Sequence, residues 1–178
     1  MNIANFFSIL RIVSIPLFII LLSYDRHTEA FAVFGIAALT DALDGFFARV
    51  FRQKTALGAY LDPIADKLLL VSSFVAFALL NLIPRWLTIL VVSRDVIISM
   101  GILLLRLNSF QIEMRPSMLS KCTTVFQILT IGMALLFHIL GKSSIAILAV
   151  CWITGTLTIV SGAHYISMGL RMINERDY

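Results

Sequence analysis

Residues 145–167 read IAILAVCWITGTLTIVSGAHYIS, an apolar run with no Asp, Glu, Lys or Arg in it. A helix of about 20 apolar residues crosses the hydrocarbon core of a bilayer, and this run is long enough. Working back along the chain, similar runs cover about Met118–Leu140, Trp86–Leu105, Tyr60–Leu82 and Phe6–Ser23. A further run starts near Ala30 and continues past Thr40 as a helix that carries Asp41, Asp44 and Arg49. Polar breaks separate the runs: YDRHTE, FRQKTALG, Pro84–Arg85, RLNSFQIEMRPS and GKSS. The expected fold is all-α: a polytopic membrane protein with six transmembrane helices and a short N-terminal interfacial segment. Residues 1–178 leave no room for a separate soluble domain, so one membrane domain is expected.

Composition agrees. Hydrophobic residues make up 60% of the chain and charged ones 13%, against about a quarter charged in soluble domains. Mean hydropathy is +0.96. A net charge of +4 would raise nucleic acid as a partner of a soluble protein. In a membrane protein, topology and anionic ligands explain it instead. Cys122 and Cys151 have neither zinc spacing nor a disulfide framework and read as small packing residues. The first apolar run lacks a basic lead-in and a clear cleavage site, and Arg11 interrupts it, so it reads as a retained helix rather than a signal peptide.

Loop charges orient the chain. Arg49, Arg52, Lys54, Arg106, Arg115, Arg171 and Arg176 lie in the breaks after spans two and four and in the tail. Only Arg26, Arg85 and Lys142 lie in the other breaks. The positive-inside rule then puts both termini in the cytoplasm.

The segment DALDGFFARVFRQKTALGAYLDPIADK, residues 41–67, falls on that same side. Ionisable groups in membrane segments are costly and are functional candidates by default. Asp41 and Asp44 share a helical face by their spacing, as do Asp62 and Asp66 on the next helix. A short connection makes the two helices antiparallel neighbours, so four carboxylates can converge. A single Asp in a bundle commonly pairs with an Arg, and a lone Gly such as Gly58 is as readily a packing residue. Nearby cations are too few to neutralise four carboxylates and an anionic lipid ligand together, which calls for a metal. An all-oxygen set favours Mg²⁺, Mn²⁺ or Ca²⁺ over zinc, and Mg²⁺ suits phosphate chemistry best. Gly45 and Ala48 leave space beside Asp44, Gly58 leaves space before Asp62, Arg49 offers a forked donor for a diphosphate, and Thr55 adds a hydroxyl.

The segment fits D-x2-D-G-x2-A-R-x8-G-x3-D-x3-D at Asp41, Asp44, Gly45, Ala48, Arg49, Gly58, Asp62 and Asp66. In this it resembles the CDP-alcohol phosphatidyltransferase family. NFFSILR, with Asn5, Ser8 and Arg11, is similar to the family's N-x2-[ST]-x2-R element. The resemblance implies a transferase that moves a phosphatidyl group from CDP-diacylglycerol to an alcohol and releases CMP. It implies metal at Asp41, Asp44, Asp62 and Asp66, with Mg²⁺ expected and Mn²⁺ as a substitute. Asp66 would also take the proton of the attacking hydroxyl. Gly45, Arg49 and Thr55 would contact the CDP moiety, with Ala48, Gly58, Asn5 and Ser8 in the same subsite. A homodimer is expected on the same ground, as is a bacterial inner membrane with the active site facing the cytoplasm.

A phosphate-bearing acceptor needs cations, and Arg11, Arg94 and Lys121 are the candidates. The structural alternatives are that Arg94 pairs with Asp95 and that Lys121 snorkels to the membrane surface. Members that use glycerol 3-phosphate carry an Arg-Glu pair in span four and G-K-x-K-T at the start of span five. This chain has SRDV and PSMLSKCTTVFQ, which look more like the cardiolipin-forming members that accept phosphatidylglycerol. Chains of this size are most often glycerol 3-phosphate enzymes, so that acceptor leads and phosphatidylglycerol is the alternative. A cation transporter is the reading from another class, but it predicts carboxylates at the bilayer midplane rather than at one side.

Overall fold

The computed structural model describes residues 3–51, 56–107, 117–142 and 145–174. Within these, side chains are described except at 3–8, 41–51, 56–63, 105–106 and 172–174. The described residues form six helices: α1 (Ile3–Ser23), α2 (His27–Phe51), α3 (Ala56–Leu79), α4 (Arg85–Leu107), α5 (Met118–Ile139) and α6 (Ile145–Asn174). Arg85–Leu104, Met118–Ile139 and Ile145–Arg171 are long and apolar enough to cross a bilayer, and Ile9–Ser23 and His27–Thr40 are shorter apolar stretches. Large apolar side chains such as Val13, Ile36, Ile89 and Trp152 lie on the outside. Water would penalise that surface and lipid would not. The chain is a polytopic helical membrane protein.

The helices pack as two compact units, with the division falling inside α5. The first holds α1, α2, α3 and residues 131–144. Here α1 packs against both α2 and α3. Its buried residues Arg11, Phe18 and Leu22 recur at helical spacing, so they form one face. Phe18 is fully buried and stands 5.7 Å from Phe34 of α2 and 6.2 Å from Phe77 of α3, centroid to centroid. These ring contacts fix α1 against both partners.

Three helices in this unit end alike. After α1, α3 and α5 the backbone turns left-handed at Asp25 (φ 57°), Asn81 (φ 56°) and Gly141 (φ 63°). In each case a six-residue bond closes the turn: Arg26 N to Leu21 O at 2.9 Å, Leu82 N to Phe77 O at 2.9 Å, and Lys142 N to Phe137 O at 3.0 Å. These are Schellman caps, which satisfy carbonyls that a helix end otherwise leaves open. Asp, Asn and Gly are the residues that tolerate this conformation.

The second unit holds α4, residues 118–130 of α5, and α6. α4 packs on α6. Gly155 permits it: a Cβ there would lie 2.7 Å from the Trp86 ring. Trp86 also lies against Trp152, with centroids 4.8 Å apart. α5 and α6 are joined by hydroxyls. Thr130 and Thr154 share a hydrogen bond of 2.8 Å, and Thr123 Oγ1 donates to the Leu157 carbonyl at 3.3 Å. In a membrane such bonds replace the missing hydrophobic drive between helices. Cys151 is buried, as expected of a packing residue, but Cys122 is exposed. The buried face of α5 runs through Thr123, Gln127 and Thr130, and position 122 falls beside it.

Candidate active site

Sequence places Asp41, Asp44, Gly45, Ala48 and Arg49 on α2, and Gly58, Asp62 and Asp66 on α3. Both helices pack on α1, which carries Asn5, Ser8 and Arg11. Thr55 lies outside the described residues, as do the side chains of Asn5, Ser8, Asp41, Asp44, Ala48, Arg49 and Asp62 and the surroundings of Gly45 and Gly58. Asp66 is the described member of the carboxylate set. It sits at the edge of α3's buried stripe, between Ala65 and Leu69–Leu70.

Arg11 Nη1 donates to Asp66 Oδ1 and ties α1 to α3. The Arg11 side chain is 2% exposed and that of Asp66 36%. A guanidinium buried this deeply needs a counter-charge. The sequence reading expected Arg11 at the acceptor; the structure gives it the carboxylate expected to act as base. His27 begins α2 and is about 21 Å along the helix axis from Asp41. It stacks edge to face on His138, centroids 4.4 Å apart.

A second polar cluster lies in the second unit. Arg94 of α4 is 9% exposed. Its Nη1 donates to Asp95 Oδ1 at 2.6 Å. Its Nη2 donates to Ser120 Oγ of α5 and to Ser161 Oγ of α6, each at 2.8 Å. The guanidinium carbon stands 5.8 Å from the centre of the Tyr165 ring. Arg94 Nε is buried with no hydrogen-bond partner among the described residues. Lys121 is exposed, one residue beyond Ser120. The pairing with Asp95, the structural alternative for Arg94, is thus present, yet it uses only part of the guanidinium.

Ser120, Ser161 and Tyr165 were not singled out in the sequence. A signal was there: Ser161-Gly162 breaks the apolar run of α6, and Tyr165 follows Ser161 by one turn. The three converge only once α4, α5 and α6 are assembled.

The family model for CDP-alcohol phosphatidyltransferases matches residues 1–160. The chain belongs to the CDP-alcohol phosphatidyltransferase family. It is similar to the "Probable phosphatidylglycerophosphate synthase" of Mycobacterium tuberculosis, 34% identical over 97% of this chain and 83% of the relative. It is 30% identical to the "CDP-diacylglycerol--glycerol-3-phosphate 3-phosphatidyltransferase" of Bacillus subtilis, over 93% of this chain and 94% of that one. A third relative is the "Cardiolipin synthase (CMP-forming)" of Homo sapiens, 29% identical over 92% of this chain and 60% of the relative. The chain is thus an integral membrane enzyme of phospholipid synthesis, a phosphatidyltransferase with a CDP-activated lipid donor and an alcohol acceptor. The family generally uses divalent metal. The residues expected to hold it, Asp41, Asp44, Asp62 and Asp66, would offer carboxylate oxygen alone, which fits a hard cation, and the described one, Asp66, accepts from the cationic Arg11.

Proposed function

We propose that this enzyme transfers the phosphatidyl group of CDP-diacylglycerol to glycerol 3-phosphate, giving phosphatidylglycerophosphate and CMP. The observation that carries the reading is the eight-residue motif of positions 41–66, divided between two consecutive helices that both pack on α1. Asp41, Asp44, Asp62 and Asp66 would hold Mg²⁺, or Mn²⁺ in its place, which offsets the charge of the diphosphate.

Around that centre, Arg49 and Thr55 donate to the CDP moiety, and Gly45, Ala48 and Gly58 leave room for it. Asn5 and Ser8 of α1 contribute to the same subsite. The acceptor hydroxyl oxygen attacks the phosphorus that bears diacylglycerol, the bond from that phosphorus to the CMP oxygen breaks, and the hydroxyl proton passes to Asp66. Arg11 orients the Asp66 carboxylate through Oδ1 rather than binding the acceptor. No covalent enzyme intermediate is required. Arg94 and Lys121 bind the acceptor's phosphate, Arg94 through the donors that Asp95, Ser120 and Ser161 do not use. Residues 1–178 work as one catalytic domain, in a homodimer, in a bacterial inner membrane, with the site on the cytoplasmic face where positive loop charge is concentrated.

Phosphatidylglycerol is the second acceptor reading. Cardiolipin synthases are among the relatives, and Asp95 stands where glycerol 3-phosphate members carry Glu. Purified enzyme given CDP-diacylglycerol, Mg²⁺ and each alcohol separately tests the choice. Mass spectrometry should find phosphatidylglycerophosphate; product from phosphatidylglycerol alone would overturn the lead assignment in favour of cardiolipin synthesis.

A further inference from the structure

We infer that Tyr165 is a positioning residue for the acceptor's phosphate, holding the first turn of α5 against the Arg94 guanidinium. The inference rests on the reading above that Arg94 anchors that phosphate. Ser117 immediately precedes α5 and caps it. Its Oγ accepts from Ser120 N at 3.2 Å, and its carbonyl accepts from Lys121 N at 3.2 Å. The N–H of Ser117 is donated to the Tyr165 hydroxyl oxygen at 3.3 Å. One phenol on α6 therefore fixes the residue that starts α5, and with it Ser120 and Lys121 in the first turn.

The ring of Tyr165 faces the cation that this turn serves. Its centre is 5.8 Å from the guanidinium carbon of Arg94. Arg94 Nη2 is bracketed by hydroxyls from both helices, Ser120 and Ser161, at 2.8 Å each. Those two contacts and the pairing with Asp95 leave Nε buried with no partner among the described residues, although an unpaired buried donor is costly. A phosphate oxygen is the acceptor that a guanidinium edge takes best. If α5's first turn moves, Ser120 leaves Nη2 and the guanidinium rotates. The phenol hydroxyl keeps that from happening before the acceptor arrives, which is preorganisation rather than contact.

Tyr165→Phe keeps the ring over Arg94 and removes only the hydroxyl. Its KM for glycerol 3-phosphate should rise roughly five-fold, the scale of one net hydrogen bond. KM for CDP-diacylglycerol and kcat should stay within about two-fold of wild type on the same reasoning. Inorganic phosphate, used as a competitive inhibitor, should weaken by the same factor. Ser120→Ala should raise the same KM, and the double variant should be no worse than the worse single one, because both act through one contact. An unchanged KM in Tyr165→Phe, a parallel rise in both substrates' KM values, or full additivity would overturn the inference. Wild-type enzyme assayed with glycerol 3-phosphate, phosphatidylglycerol and glycerol separates the levels. If phosphatidylglycerol is the substrate, the shift should appear there, and if only a neutral alcohol reacts, both the anchoring role of Arg94 and the inference fail. If a phosphate-bearing alcohol reacts but Tyr165→Phe matches wild type, the positioning role alone fails.

Discussion

Arg11 and Asp66 share one ion pair in a place where either alone would be costly, and this decides how the residue scale is probed. If Arg11 orients Asp66, Arg11→Gln should lower kcat roughly 100-fold, the cost of a misplaced reacting group, and leave the KM for glycerol 3-phosphate unchanged. If Arg11 binds the acceptor, that KM rises instead, so steady-state kinetics in both substrates distinguishes the roles. Asp66→Asn should abolish transfer, by roughly 1,000-fold or more, while binding of CDP-diacylglycerol, measured by equilibrium dialysis in detergent, is largely kept. Asp66 and Arg94 were legible in the sequence because a charge inside an apolar run stands out. Ser120, Ser161 and Tyr165 were not, because a serine or tyrosine in a membrane helix is cheap and common, and its meaning comes from what lies across from it. The direction of Arg11 was equally hidden: periodicity puts it on a buried face of α1 but does not say that α3 brings Asp66 there.

At the scale of elements, the apolar runs located every helix, and the differences sit at the ends. α3 starts at Ala56 rather than near Tyr60, and α6 continues to Asn174 beyond the expected Ser167. The residues added to α6 include Arg171 and Asn174, which hydropathy reads as loop although the backbone stays helical, whereas those added to α3 are Ala56, Leu57, Gly58 and Ala59, next to the polar break that hid them. Helix contacts depend on single small residues that composition cannot rank. Gly155→Ala would push a methyl to 2.7 Å from the Trp86 ring. Overpacking of this kind costs about 1–3 kcal/mol, so the thermal midpoint of the purified enzyme should drop. Gly141→Ala has open space at Cβ, so only its positive φ is penalised. The cost should be about 1–2 kcal/mol, read in the same melt, with kcat unaffected because the turn touches no reacting group.

For the whole molecule, charge accounting makes a prediction that no single residue does. A carboxylate set without its divalent ion repels itself and the diphosphate of the donor. Chelation with EDTA should eliminate turnover, and added Mg²⁺ should restore it. Mn²⁺ should substitute and Zn²⁺ should not, as the oxygen-only donor set requires. Fold class was readable from hydropathy because a bilayer forces every backbone group into a helix or a barrel. The division into two compact units was not, since it falls between Thr130 and Ile131 inside α5, where no polar break marks it. Membership of the family was readable from eight positions between Asp41 and Asp66, whereas the acceptor was not, because Arg94 and Lys121, the residues proposed for it, stand singly on α4 and α5 without a comparable motif.

The capped reversals at Asp25, Asn81 and Gly141 have a practical corollary for anyone tagging this enzyme. Each turn closes through its own main chain, so an epitope or protease site spliced there would break the bonds that end the helix.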